Sequence, residues 1–325
     1  MKHHHREFDA LQRILWGFAG QRVITVAGRV GILHALAKRT ATPEELAAEL
    51  DLEPLAAGKV LRALCAQGIV EAEEGAFTLA AALLPLFDGG DSDYGPYLDH
   101  LHGMYDRWGE NLEPWLRGQD WTVTPRTPEV AASFGAAMRA VSSRIASRVA
   151  ETLDLDGVET MLDVGGGWGQ YSKAFRSVRP EITATVIDIP QVAEQAPAGV
   201  AGTEHEGRIS WIGGSYLETD YGSGYDLVLL SNILHQEQAP EAAEIIRRSA
   251  AALAPGGRVV IVDFAIDDDK CRHPLGTLFA INMRSFGDAW SEPEYRGWME
   301  AAGLVDIQRQ DLGPDRWIIS GSKRS

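Results

Sequence analysis

The run Met161-Leu162-Asp163-Val164-Gly165-Gly166-Gly167-Trp168-Gly169 limits this chain to few folds. Four strand-compatible residues give way to glycines, and a sequence with Tyr171, Ala174 and Phe175 at helical spacing follows. A strand that turns sharply into a helix needs residues that accept positive φ and bring backbone N–H groups close together. Apolar segments then alternate with amphipathic ones to the end of the chain, which predicts a mostly parallel sheet covered by helices on both faces. Strands are expected at 160–164, 183–187, 208–212, 225–230, 257–263, 304–308 and 315–320, with Pro255-Gly256-Gly257 as the turn into the fifth.

The spacing of the glycines selects the ligand. A dinucleotide fingerprint requires GxGxxG, but Gln170 stands where its last glycine belongs. The pattern met is Asp-x-Gly-x-Gly-x-Gly at Asp163, Gly165, Gly167 and Gly169. An acid ahead of an amide-rich turn suits S-adenosylmethionine, which carries a sulfonium, an ammonium and one carboxylate but no phosphate. At the end of the next strand, in Ile187-Asp188-Ile189-Pro190, Asp188 can accept both hydroxyls of a ribose.

The N-terminal half reads differently. Val26, Val30, Leu33, Leu36 and Ala37 form one apolar helical face. Thr42 and Glu45 make a capping box, with Leu46 and Leu50 buried behind it. The next helix opens at Pro54 and carries Leu55, Val60, Leu61 and Leu64 inward. Two short strands about Glu73-Glu74-Gly75 complete a winged helix. Its third helix offers only Lys59 and Arg62 as cations, and the chain carries a net charge of −16, so phosphate neutralisation has little to work with and no nucleic-acid partner is expected. Packing or dimerisation is the expected role. Gly89-Gly90-Asp91-Ser92 reads as a linker, followed by an aromatic-rich stretch with Tyr94, Tyr97, Tyr105, Trp108, Trp115 and Trp121, expected mainly in the core. A long helix over 128–152 presents Phe134, Met138, Val141, Ile145 and Val149. The expected division is a tag remnant and arm over 1–19, a winged-helix dimerisation domain over 20–90, a helical connector over 91–152, and the cofactor-binding domain over 153–325.

On the glycine loop, Ile187-Asp188-Ile189-Pro190, the winged helix and the segment Asp226-Leu227-Val228-Leu229-Leu230-Ser231-Asn232-Ile233-Leu234-His235, the chain resembles the small-molecule O-methyltransferases of caffeate/acetylserotonin type over about residues 20 to 322. The resemblance implies a Rossmann-like class I methyltransferase domain with a seven-stranded sheet, a homodimer through the N-terminal domain, and S-adenosylmethionine as methyl donor. It implies that Ser142 approaches the methionine moiety and that Phe134 and Met138 border the acceptor. Ile189, Ser215, Tyr216 and Ser231 join the cofactor-side candidates, and Trp108, Asn232, Phe279 and Met283 the acceptor side. In the family the histidine matching His235 removes the acceptor's hydroxyl proton. A neutral imidazole at the carboxyl edge of a parallel sheet is suited to that task.

The chain departs from the family where the imidazole's carboxylate partner belongs, with Gln236 and Ala289 at those positions and Asp288 or Glu237 as possible substitutes. That leaves C-methylation, a different reaction of the same cofactor, or a ligand-sensing regulator as competing readings. Asp263, Asp267, Asp268 and Asp269 read as a solvated loop, and no metal site is expected. Two cysteines, Cys65 and Cys271, fit a reducing cytoplasm. No apolar run reaches the roughly 20 residues of a membrane span. The acceptor is expected to be a small aromatic molecule of secondary metabolism.

Overall fold

The structure, a computed structural model, describes residues 2–90, 92–122, 127–313 and 315–325, with the backbone alone described at 2–7, 128 and 129. The expected linker residue Asp91 therefore lies outside the described residues, as do the side chains of the expected tag remnant. Two compact units divide at Val141/Ser142.

In the first unit, α1 (Lys2–Arg29), α2 (Ile32–Lys38), α3 (Pro43–Leu50) and α4 (Pro54–Ala66) precede a hairpin of β1 (Val70–Glu73) and β2 (Ala76–Leu79). The hairpin pairs Val70 with Leu79 and Glu73 with Ala76, turning through Glu74 and Gly75, both at positive φ. The winged helix is present. Thr42 and Glu45 form the capping box in both directions. The single apolar helix read from Val26 to Ala37 is in fact two, because Gly31 at φ 89° separates α1 from α2. Val26 and Val30 are consequently exposed, while Ile32, Leu33 and Leu36 enter the core. Leu55, expected inside, is 64% exposed on the first turn of α4. α5 (Gly95–Leu116) carries the aromatic stretch, and Tyr105 on it is exposed rather than core. α6 (Pro128–Thr152) begins in this unit and ends in the next.

The second unit contains β3 (Thr160–Val164), α7 (Gln170–Val178), β4 (Thr183–Asp188), α8 (Pro190–Gln195), β5 (Ile209–Gly213), β6 (Tyr225–Ser231), α9 (Ala239–Ala252) and β7 (Leu253–Phe264). There follow α10 (Pro274–Met283), α11 (Glu292–Ala301), β8 (Leu304–Asp311) and β9 (Arg316–Lys323). Seven strands form one sheet in the order β5-β4-β3-β6-β7-β9-β8, all parallel except β9, which runs antiparallel to both neighbours. The chain order reverses at β3, whose two sheet neighbours are β4 and β6, and in such sheets the crevice beyond the strands' carboxyl ends is where ligands bind. Pro255-Gly256-Gly257, expected as a turn, lies within β7, where Gly257 approaches the backbone oxygen of Tyr225 too closely for a side chain. One face of the sheet packs Val186, Leu227, Leu229, Val260 and Val262 against Phe175 and the end of α6, and the other packs Val228, Leu230 and Ile261 against α9 and α11. Burying both faces of these strands explains their nearly unbroken apolar sequences.

Candidate active site

β3 delivers the glycine turn as the sequence predicts. Gly165, Gly167 and Gly169 adopt φ of 66°, 58° and 71°, a region that costs other residues but not glycine. A Cβ on Gly166 would lie 2.4 Å from the Asp163 carboxyl carbon, so this glycine is required by contact rather than by φ. Asp163 itself is fully buried; Ser172 Oγ donates to its Oδ2 at 2.9 Å, and Oδ1 has no hydrogen-bond partner among the described residues. Burial, helped by the nearby Asp188 charge and opposed by Ser172, pushes its pKa up to about 7.

Asp188, the last residue of β4, closes the other side of the turn. Its Oδ2 accepts the Gly167 N–H and its Oδ1 the Ile189 N–H, each at 2.8 Å. Burial raises its pKa, against the pull of these two amides. Beside it opens a cavity of about 210 Å³ lined by Asp188, Ile189, Ser215, Tyr216 and Glu237 among others. Three expected cofactor-side residues thus converge on Asp188. Tyr216 Oη donates to Glu237 at 2.5 Å, so Glu237 is engaged here and is no partner for His235. A larger depression of about 420 Å³ beside Arg247, Ala302 and Lys323 contains none of the candidate residues.

An orphaned carboxylate oxygen under the turn and open space above the Gly167 α-carbon fit a cationic ligand with a nucleoside portion. Among the described residues no group of three or more His, Cys, Asp or Glu side chains could hold a metal ion.

His235 lies in a short turn after β6 and is 4% exposed. Its Nδ1 is 2.6 Å from Asp263 Oδ1, on the adjacent strand β7. Asp263 is not part of a solvated loop: it is 2% exposed and also accepts the Phe264 N–H at 2.8 Å and Tyr295 Oη at 3.1 Å. Strand alternation places it on the same side as Val259 and Ile261, at the carboxyl end of β7. Burial alone would raise its pKa, but His235, the Phe264 amide and the more distant Arg316 outweigh it, and the net shift is downward. An ionised carboxylate only accepts, so Nδ1 carries the proton and Nε2 is the basic nitrogen. Nε2 has no hydrogen-bond partner among the described residues.

Asp288, the other proposed substitute, pairs with Lys270 at 2.8 Å instead. Gln236 Nε2 donates to Asn232 O at 2.9 Å and the Trp290 indole donates to Leu234 O at 2.9 Å, so the turn carrying His235 is braced from two sides. Gly287 packs so closely that a Cβ there would lie 2.0 Å from the His235 carbonyl oxygen. Ala289 is buried and carries no polar group.

Phe279 on α10 meets the imidazole edge-on at 4.8 Å between ring centres and stacks on Phe264 at 4.0 Å. Met283 ends the same helix, partly buried. Asn232, at φ 56°, donates to Ser231 Oγ at 2.8 Å and accepts from Arg316. Ser142 is partly buried on α6; its neighbour Ser143 accepts from Gln170 at the start of α7, at 2.6 Å. In the first unit, Phe134 meets His100 edge-on at 5.4 Å and Trp108 meets Trp121 at 6.3 Å, with Met138 partly buried one turn beyond Phe134. Asp263, Tyr295 and Arg316 are the site residues that sequence reasoning missed.

Residues 110–305 match the profile of the O-methyltransferase domain family. The chain is 29% identical over 304 residues to a 3-hydroxy-5-methyl-1-naphthoate 3-O-methyltransferase of Streptomyces sahachiroi, covering 88% of this chain and 86% of that one. It is 28% identical to the O-demethylpuromycin-O-methyltransferase of Streptomyces alboniger, with 93% and 85% covered. The fold superposes on human N-acetylserotonin methyltransferase in complex with S-adenosylmethionine with a TM-score of 0.85 at 21% identity, covering 98% of each chain. The chain belongs to the O-methyltransferase domain family and is an S-adenosylmethionine-dependent methyltransferase.

Proposed function

We propose that this protein methylates a hydroxyl group of a small aromatic metabolite, with His235 as general base and Asp263 as the residue that positions it. The buried His235–Asp263 pair at the carboxyl edge of the sheet carries this reading. Asp163, the glycine turn and Asp188 would hold S-adenosylmethionine, with Ile189, Ser215 and Tyr216 around its adenosine, Ser231 adjoining, and Ser142 toward its methionine portion. The bound donor supplies an electrophilic methyl group on its sulfonium.

The acceptor hydroxyl would donate its proton to His235 Nε2 as its oxygen becomes nucleophilic. Asp263 fixes the tautomer that leaves Nε2 free and stabilises the imidazolium that forms. Tyr295 and the Phe264 amide hold Asp263 in turn. Phe279, Met283 and Asn232 would line the acceptor side. A carbon acceptor would need orientation more than a base, so a buried base–carboxylate pair favours oxygen. Relatives acting on a hydroxynaphthoate and on O-demethylpuromycin support the choice of a small secondary metabolite.

A homodimer through the first unit fits α1, where Phe8, Leu11, Ile14, Leu15, Trp16 and Phe18 are all at least half exposed. No helix among the described residues is long and apolar enough to cross a membrane, and both cysteines are free thiols.

The test is His235→Ala, assayed with methyl-labelled donor over a panel of phenolic acceptors. Turnover should fall by about 10²-fold or more while affinity for S-adenosylhomocysteine stays within a factor of two. Undiminished turnover would exclude His235 as the base.

A further inference from the structure

Arg316 opens β9 directly opposite Phe264 in the β7–β9 register, one residue from the carboxylate that holds His235. Its guanidinium lies over the Phe264 ring, 4.3 Å from the ring centre, and Phe264 in turn stacks on Phe279. Both rings flank His235, at 5.4 and 4.8 Å. Arg316 therefore belongs to the cluster that surrounds the candidate base.

A guanidinium has five N–H donors, and a half-buried one normally spends most of them. Arg176 and Arg248 in this unit do so on the backbone: Arg176 donates to Pro180 O, Ile182 O and Glu204 O, and Arg248 to Leu217 O and Thr219 O. Arg316 makes one hydrogen bond, from Nη1 to Asn232 Oδ1, and no ion pair with a carboxylate among the described residues. Asn232 and the Phe264 face fix the fork in place, while its remaining donors are uncommitted. Such a fork matches a carboxylate in two parallel hydrogen bonds. In a chain of net charge −16, an anionic acceptor needs a local cation of this kind to approach the site.

We propose that Arg316 binds a carboxylate on the aromatic acceptor, so that the substrate class is a hydroxyaryl carboxylate held by its acid group with its hydroxyl toward His235. Phe279, partly buried and edge-on to the imidazole, offers aromatic surface to the aryl ring between those two ends. This assignment rests on the proposed O-methyl transfer and narrows it; Arg316 is a specificity residue and takes no part in the proton transfer.

The experiment uses the full chain saturated with S-adenosylhomocysteine, titrated calorimetrically with 2-naphthoate and with the neutral isostere 2-naphthamide. The wild type should bind the carboxylate at least about 10-fold more tightly than the amide, as a charge-assisted pair at a half-buried site predicts. Arg316→Gln should erase that preference, and Arg316→Lys, which keeps the charge but loses the fork, should retain only part of it. Affinity for S-adenosylhomocysteine, measured separately, should be unchanged in both variants and reports that they are folded. A wild type indifferent to the acid group would overturn the proposal, as would a preference that survives in Arg316→Gln. Weakened S-adenosylhomocysteine binding in both variants would also overturn it, by assigning the arginine to the donor's carboxylate. Failure of the methyl-transfer reading is seen separately, as His235→Ala retaining full turnover.

Discussion

Asp163 is ionisable, fully buried and only half satisfied, and this makes the glycine turn a measurable cost to folding. Its pKa stands at about 7 in the folded chain, against 3.8 for an ordinary aspartate. The native state therefore keeps a proton that the unfolded state releases, and stability must fall as pH rises through that interval. Between pH 5 and 8.5 a group with these two pKa values removes roughly 3 kcal/mol of stability. Asp163→Asn takes the titration away. The substitution has its own cost, since an amide N–H would face the place where Oδ1 has no partner, but that cost does not change with pH and cancels when differences are compared across pH. Urea denaturation of both proteins at several pH values should give a gap that moves toward the variant by about 3 kcal/mol over this range. The variant should at the same time bind S-adenosylmethionine poorly, because the acid that complements a cationic ligand is gone. Parallel stability curves for the two proteins would refute the assignment of a raised pKa to Asp163.

Asp263→Asn should lower turnover by about 10²-fold or more with little change in S-adenosylhomocysteine affinity, since the amide no longer enforces the tautomer with Nε2 free; steady-state kinetics and calorimetry separate the two effects. Asp188→Ala should weaken cofactor binding and also loosen the turn, because the Gly167 and Ile189 amides lose their acceptor; equal affinity in a titration would contradict this. Replacing Ile14 and Trp16, 75% and 66% exposed on α1, with lysine should convert a dimer to a monomer in light scattering while leaving the fold intact by circular dichroism; a dimer that persists would remove α1 from the interface.

The glycine turn, Asp188 and His235 were legible in the sequence because local chemistry determines them. Positive φ at three alternate positions of a tight turn favours glycine, and a strand followed by a polar residue at the sheet's carboxyl edge marks a ligand side. Asp263 was not legible in the same way. Read along the chain, it begins the acid-rich segment that continues with Asp267, Asp268 and Asp269, and it resembles loop composition. Only the pairing of β7 with β6 brings it beside His235, although its place in the alternation Val259, Ile261, Asp263 was available as a hint of burial. Arg316 was missed for a related reason: β9 inserts antiparallel between β7 and β8, and no local pattern announces which strand it will adjoin. Val26 and Val30 show the opposite error, where an apolar period continued across a glycine at which the helix breaks.

Gly287 has a consequence for anyone wishing to retarget this enzyme. It contributes no functional group, yet the carbonyl of His235 occupies the space where any side chain would begin. Libraries that randomise the loop after α10 to admit new acceptors should hold this position fixed and draw their diversity from Phe279 and Met283. On the proposed role of His235 as base, a bulkier residue at 287 would displace the imidazole and reduce every substrate's rate together, erasing selectivity differences that the library was made to find.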